Sequence, residues 1–207
     1  MSHEDWTLRP RVGLGRLVFG MSAAEVDALS DVYGTVTARG NDRAADALLL
    51  ETLEMFGGAM SSEEKAALVA AYAENGPDAD AVTETRDESG LVLSYAGDRL
   101  VGIMSPLADR PLLIDGHDLR ALSARDALAL LERLNGGPGR YADTETAFDA
   151  LALSVDGFSV VDRYRRVRTI DPTDERFARR TATVLPHPAP PADAELRRRP
   201  PVERGRE

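Results

Sequence analysis

One short stretch of the chain, Asp115-Gly116-His117-Asp118, combines residue types that could do acid–base or metal chemistry. An imidazole between two carboxylates can move protons or contribute to a divalent metal site. The same residues also suit a turn, because Asp115-Gly116 follows a short apolar strand and Asp118 can cap the next segment. The other two histidines, His3 and His187, lie close to the termini. We favour the turn and keep a hydrolase using Asp115, His117 and Asp118 as the alternative.

Other catalytic and cofactor motifs do not fit the sequence. The chain has no cysteine, which excludes disulfides, thiolate metal ligands and cysteine catalysis. Gly13-x-Gly15 has Val18 where a dinucleotide-binding loop requires its third glycine. The sequence contains no Walker loop, nucleophile elbow or paired-histidine zinc motif. We therefore assign no catalytic, cofactor-binding or metal-binding residue, and we expect a non-enzymatic protein without a cofactor.

The net charge of −10 is unevenly distributed. Residues 1–159 hold 27 acidic and 13 basic side chains, whereas residues 160–207 hold 8 acidic and 12 basic ones. An acidic body repels nucleic-acid phosphates and anionic membranes and attracts basic partners. Net acidity alone is explained by the solubility of a cytosolic protein and specifies no partner. Together with the missing catalytic motifs, it leads us to expect a protein partner with a basic or hydrophobic surface.

Arginines are concentrated in the C-terminal part of the chain. They are Arg163, Arg165, Arg166, Arg168, Arg179, Arg180 and Arg197–Arg199. Nucleic-acid binding through this segment is a third possibility, but its modest net charge and the single interleaved aromatic, Tyr164, count against it. We expect these arginines to pair with the chain's own acidic face.

Length and hydropathy indicate one sizeable domain without a membrane span. The chain has 207 residues, and no apolar run approaches the roughly 18 residues needed to cross a bilayer. The segment Met1–Asp5 is acidic and lacks the pattern of a signal peptide. We expect a cytoplasmic protein.

Two pairs of similar segments suggest an internal repeat. Met21–Leu29 resembles Leu122–Leu130, and Leu91–Ser94 resembles Leu151–Ser154. The helix starts are 101 residues apart and the strands only 60, which implies an insert of 41 residues in the first copy. Within it, apolar spacing predicts two helices, Arg43–Phe56 and Ser62–Glu74, that form a hairpin.

These patterns predict an α+β fold built from an internally duplicated helix-plus-antiparallel-hairpin unit. The predicted segments are a flexible N-terminus over residues 1–11, a duplicated domain over 12–180 and a disordered Pro/Arg-rich tail over 181–207. Repeat 1 covers residues 12–104 with a helical insert at 40–80, and repeat 2 covers residues 112–162.

Local signals give the expected elements. Capping pairs start helices at Ser22 with Glu25, Ser61 with Glu64 and Ser123 with Asp126. Further expected elements are strands at 12–19, 32–38 and 112–114, hairpins at 91–104 and 151–161, a helix at 123–134 and a short helix from Asp171-Pro172 to about Arg180.

The segment Gly20-Met21-Ser22-Ala23-Ala24-Glu25-Val26, after an apolar strand, resembles the start of the β-lactamase-inhibitor-protein and outer-membrane-assembly-lipoprotein modules. The resemblance implies small α+β units, sometimes in tandem, that bind proteins without catalysis. With Gly90-Leu91-x-Leu93-x-Tyr95 and Asp115–Leu119, the longer layout resembles actinobacterial proteins of uncharacterised activity. We expect a cytoplasmic protein-binding protein, in one form an immunity-type antagonist of a toxin.

Overall fold

The computed structural model describes residues 3–41, 60–67, 81–108, 110–189 and 197–198. The fold is α+β. The helices are α1 (Ala23–Asp27), α2 (Ser30–Tyr33), α3 (Ala124–Asn135) and α4 (Glu175–Ala178), with a 3-10 turn at His3–Trp6 and a helical segment at residues 62–67. The strands are β1 (Leu8–Arg9), β2 (Gly13–Leu14), β3 (Leu17–Val18), β4 (Val36–Asn41), β5 (Ala81–Arg86), β6 (Val92–Ala96), β7 (Arg99–Pro106), β8 (Leu113–Ile114), β9 (His117–Asp118), β10 (Arg140–Ala142), β11 (Glu145–Phe148), β12 (Leu153–Asp156), β13 (Ser159–Val161), β14 (Val167–Thr169), β15 (Thr181–Val184) and β16 (Arg197–Arg198).

The main sheet has nine strands in the order β16-β10-β11-β12-β15-β7-β6-β5-β4, and every neighbouring pair is antiparallel. The strands from the first half of the chain meet those from the second at the β7–β15 pair, where Ile103 lies opposite Val184. Three small antiparallel sheets accompany it: β1-β2-β3, β8-β9 and β13-β14.

The core lies on one face of the main sheet. Strand residues alternate between buried and partly exposed positions, as in β6 and β12, because successive side chains point to opposite faces. The buried set includes Leu93, Ile103 and Val155, and it packs with α1 and α3 through Val26 and Leu131, which are fully buried. The helices therefore stabilise the fold mainly through their apolar faces.

The predicted helix starts are confirmed. The Ser22 hydroxyl accepts the Glu25 N–H (3.3 Å), and the Glu25 carboxylate accepts the Ser22 N–H (2.8 Å), which completes the capping box of α1. Ser61 and Glu64 make the same reciprocal pair ahead of residues 62–67. The Ser123 hydroxyl accepts the Asp126 N–H (3.2 Å) at the start of α3.

The predicted internal duplication is wrong: the structure shows none. The segment 91–104 does form a hairpin, β6–β7, but its supposed copy at 151–161 does not. Strand β12 pairs with β11 and β15, whereas β13 pairs with β14 in a different sheet. The helices also differ, since α1 has 5 residues and α3 has 12. A short Leu-x-Leu-Ser match is compatible with any half-buried strand and does not specify its pairing partner.

The insert predicted at residues 40–80 connects elements other than those expected. Strands β4 and β5 pair directly, so residues 42–80 join the two strands of one ladder rather than a helix to a strand. The predicted helix Arg43–Phe56 lies outside the described residues, and the helical segment at 62–67 falls within the predicted Ser62–Glu74. The strand expected at 32–38 is instead the end of α2 followed by β4.

Both predicted terminal segments need correction. Residues 3–9 belong to the folded domain, since Trp6 is 1% exposed, its ring centroid lies 5.8 Å from that of Tyr33, and β1 follows it. Residues 181–184, assigned to the disordered tail, form the central strand β15 with Ala182 and Val184 in the core. The rest of the predicted tail lies outside the described residues from position 190 onward, apart from β16. Within the described ranges, every helix is too short or too polar to cross a membrane.

Candidate interaction surface

The Asp115–Asp118 cluster forms the tip of the β8–β9 hairpin. Asp115 and Gly116 both have positive φ, at 50° and 77°, the backbone of a tight hairpin turn. The Asp115 carboxylate pairs with Arg133 (3.0 Å), while Asp118 Oδ1 accepts the N–H groups of Leu112 (3.2 Å) and Arg120 (3.0 Å). The exposed His117 hydrogen-bonds to neither carboxylate in the described part of the chain. The Asp118 carboxylate thus holds the backbone on either side of the hairpin, as expected of the turn, and the Asp115 carboxylate links the hairpin to α3.

His117 borders a shallow open cleft of about 530 Å³. Its other lining residues are Leu122, Asp126, Ala129, Leu130 and Arg133. The Asp126 carboxylate accepts a hydrogen bond from the Ser123 hydroxyl (2.6 Å) at the start of α3. Among the described residues, no three His, Asp or Glu side chains lie close enough together to hold a metal ion.

A buried ionic cluster lies beneath α1, in β5. The Arg86 side chain is fully buried and contacts Glu84 (2.7 Å), which is also buried, and the half-exposed Asp27 of α1 (2.6 Å). Arg39 of β4 lies 3.4 Å from the second oxygen of Glu84. Burial raises the pKa of the neighbouring Tyr95 to about 12, with the charge of Glu84 as a second cause. The cluster links α1 to strands β4 and β5, so we assign it a structural role.

The exposed arginines predicted from the sequence form a protruding hairpin. We call residues 159–169, made of β13, β14 and the loop between them, the cationic hairpin. At its tip, the Tyr164 ring is 63% exposed. The Arg163 guanidinium lies 4.8 Å from the ring centroid and that of Arg166 lies 5.9 Å away, within the range of cation–π attraction.

Asp162 fixes the conformation of this loop. Its Oδ1 accepts the N–H groups of Tyr164 (2.8 Å) and Arg166 (2.9 Å), and its own N–H donates to the Arg166 carbonyl (2.9 Å). Its other carboxylate oxygen pairs with Arg168 (3.2 Å). The hydrogen bond from the Arg166 N–H is the main reason why the pKa of Asp162 lies below its ordinary value. The loop therefore presents its tyrosine and arginines in a pre-organised arrangement.

The other predicted arginines have different roles. Arg180 is buried, with its guanidinium 3.5 Å from the ring centroid of Phe177 and 5.1 Å from that of Phe158. It also donates to the Phe177 carbonyl (2.6 Å). Arg179 pairs with Glu175 on α4. The predicted pairing with the acidic face is not what Arg168 and Arg179 show, because their carboxylate partners, Asp162 and Glu175, belong to the same C-terminal segment. Arg197 and Arg198 form β16, and Arg199 lies outside the described residues.

Net charge differs between the two halves of the sequence, whose strands lie at opposite ends of the main sheet. Residues 1–108, which supply β4 to β7, carry 18 acidic and 8 basic side chains, and residues 109–207 carry 17 of each. The whole net charge of −10 therefore belongs to the first half of the chain, here called the acidic half. The cationic hairpin lies at the other end, since β13 packs against β10 and β11. Seven strand spacings separate β10 from β4, or roughly 34 Å along the sheet at about 4.8 Å each.

Comparison with known proteins gives no relative: no family model, no curated protein and no solved structure matches this chain.

Proposed function

We propose that this chain is a non-enzymatic cytoplasmic protein that binds another protein, and that a basic surface of the partner docks on the acidic half. The observation that carries the proposal is the polarity of charge: the first half of the chain holds the entire net charge of −10. A region with an excess of one sign of charge steers an oppositely charged partner and favours one orientation on encounter.

Exposed carboxylates of the described residues support this assignment. The Asp31 side chain is 72% exposed, and its ion pair with Arg16 is long, at 3.9 Å. Glu88 is exposed at a turn with φ 52°, between β5 and β6. Both lie in the acidic half and are available to a cationic partner at little desolvation cost. Val26 of α1 and Tyr33 of α2 are buried in the core, so these two helices offer no exposed large apolar side chain of their own there. Val12, Val18 and Val36 of the acidic half are partly exposed.

The test is quantitative affinity capture with the full chain as bait. Wild type is compared with Asp31→Lys/Glu88→Lys and with a control of equal charge change in the other half, Glu145→Lys/Glu175→Lys. The supporting result is one basic protein, identified by mass spectrometry, that is retained by wild type and by the control and lost with the first variant. It should elute between about 0.05 and 0.5 M salt, because exposed charge pairs are screened over this range. Equal retention by all three baits would contradict the proposal.

The finer form of the proposal is an immunity-type antagonist, in which the basic partner is a toxin and docking covers its active surface. Co-expression with the captured partner tests this form directly. If wild type protects the cells from the partner and Asp31→Lys/Glu88→Lys does not, the result supports antagonism. If the partner is equally toxic with wild type and with the variant, the chain binds the partner but does not neutralise it.

A further inference from the structure

We infer that the cationic hairpin is a self-association element that docks on the acidic half of a second copy of this chain, giving a two-fold dimer at low ionic strength. This goes beyond the proposed function, because it assigns a role to the cationic hairpin and names a second copy of this chain as its partner, docked on the same acidic half. It does not require that any other protein binds.

The hairpin has the composition of an interface anchor. Tyrosine and arginine are enriched among the residues that dominate binding energy. Tyr164 is, at 63%, the most exposed large hydrophobic side chain among the described residues, and two guanidinium groups flank its ring. A monomer gains no core packing from a tyrosine in this position.

The loop is also rigid enough to bind at low entropic cost. Asp162 accepts hydrogen bonds from two backbone N–H groups of the loop and forms an ion pair with Arg168, so the tip needs little ordering on contact. Arg165 adopts a positive φ of 63°, which the Arg165 N–H to Asp162 carbonyl bond (2.8 Å) supports. The hairpin is therefore built as a fixed protrusion.

Charge complementarity indicates that the hairpin binds a second copy of this chain. Residues 159–169 contain four arginines and one carboxylate, Asp162, so the net charge of the hairpin is positive and its complement is an acidic surface. The chain itself carries an excess of carboxylates in its acidic half. Among the described residues, Asp31 of α2, which is 72% exposed, and the exposed Glu88 of the turn between β5 and β6 belong to it.

The distance between the cationic hairpin and the acidic half favours a closed dimer over an open-ended polymer. Strands β7 to β4 of the acidic half lie four to seven strand spacings from β10, or roughly 19–34 Å along one molecule. Two copies placed antiparallel and side by side bring each hairpin onto the acidic half of the other, so a single two-fold axis forms both contacts. A parallel arrangement would instead place the two acidic halves against each other, which is unfavourable because like charges repel.

The test is sedimentation velocity of the full chain over a concentration series at about 0.05 M and about 1 M NaCl. The expected result is a species approaching twice the 22.4 kDa chain mass at low salt and a single chain at high salt. Arg163→Glu/Arg166→Glu should lower the association constant at least about tenfold, and Tyr164→Ala should also lower it. The control Arg125→Glu/Arg133→Glu makes the same charge change on α3 and should leave the association unchanged. Urea unfolding of each variant serves as the control that the variant is folded.

Two outcomes would overturn the inference. One is a single chain at every concentration at low salt, and the other is a dimer that hairpin reversal leaves intact. Fluorescence anisotropy with labelled oligothymidylate is run alongside. Binding by wild type that is lost with Arg163→Glu/Arg166→Glu, without self-association, would assign the hairpin to single-stranded nucleic acid instead.

Discussion

The buried ionic cluster gives the sharpest stability prediction. In Arg86→Met, the apolar part of the side chain is kept and the guanidinium is lost. Among the described residues, Arg39 at 3.4 Å is then the remaining ion-pair partner of the 2%-exposed Glu84. Breaking a buried ion pair on one side costs about 3–5 kcal/mol, because the remaining charge stays desolvated. With an m-value of roughly 2 kcal/mol/M, the urea midpoint should fall by about 1.5–2.5 M.

The assay is urea unfolding followed by the fluorescence of Trp6, the single tryptophan, which is 1% exposed in the folded chain. Glu84→Leu/Arg86→Met removes both charges and should recover most of the loss. Asp27→Asn is the matched control, with an expected loss of at most about 1 kcal/mol, because the Asp27 side chain is 57% exposed. A loss below about 1 kcal/mol in Arg86→Met, or a double variant no more stable than the single one, would refute the reasoning.

Three further predictions concern other parts of the fold. Tyr141→Phe removes the hydroxyl that donates to Glu132 (2.5 Å) and should lower the free energy of unfolding by about 1.5–3 kcal/mol in urea titrations; an unchanged midpoint would argue that this bond adds no stability. Trp6→Ala should cost about 3–5 kcal/mol, measured by circular dichroism, since the ring lies in the core; a loss typical of a loose terminus, near zero, would contradict the packing of residues 3–9. The side-chain bond from Arg176 holds the pKa of Asp174 at about 2, below its ordinary value, so its stabilising contribution is present above about pH 4 and is lost as the pH falls towards 2. The difference in urea midpoint between wild type and Asp174→Asn should follow that window, and a pH-independent difference would refute it.

Local signals in the sequence predicted local structure well. The helix starts at Ser22, Ser61 and Ser123 follow from hydrogen bonds within four residues, so they do not depend on the rest of the chain. The β6–β7 hairpin was predictable because alternation gives the strands, and Gly97 and Asp98 allow the positive φ of a two-residue turn.

Pairing across the sheet was not predictable from the same signals. Thr181–Val184 is short and followed by prolines, so it resembles the start of a tail, yet β7 and β12 bury it from both sides. The supposed second hairpin failed for the related reason that alternation gives the face of a strand but not its neighbour. Three-dimensional contacts decide both cases.

The candidate surface was predictable in part. The arginines at 163–168 stand out in the sequence, and they do lie together on an exposed hairpin. The burial of Arg180 between Phe158 and Phe177 was not foreseeable, because these aromatics lie in different segments. The buried pair of Glu84 and Arg86 was not predicted either. Charged residues two apart in a strand point to the same face, so a search for charge alternation could have found the pair.

The most direct test of the central claim, that the acidic half binds a basic protein, is titration calorimetry with the purified captured partner. We predict that Asp31→Lys/Glu88→Lys weakens the affinity several-fold at low salt, at about 0.2–1 kcal/mol for each exposed charge pair lost, while Glu145→Lys/Glu175→Lys binds like wild type. An affinity that is the same for both variants would place the binding surface elsewhere on the molecule.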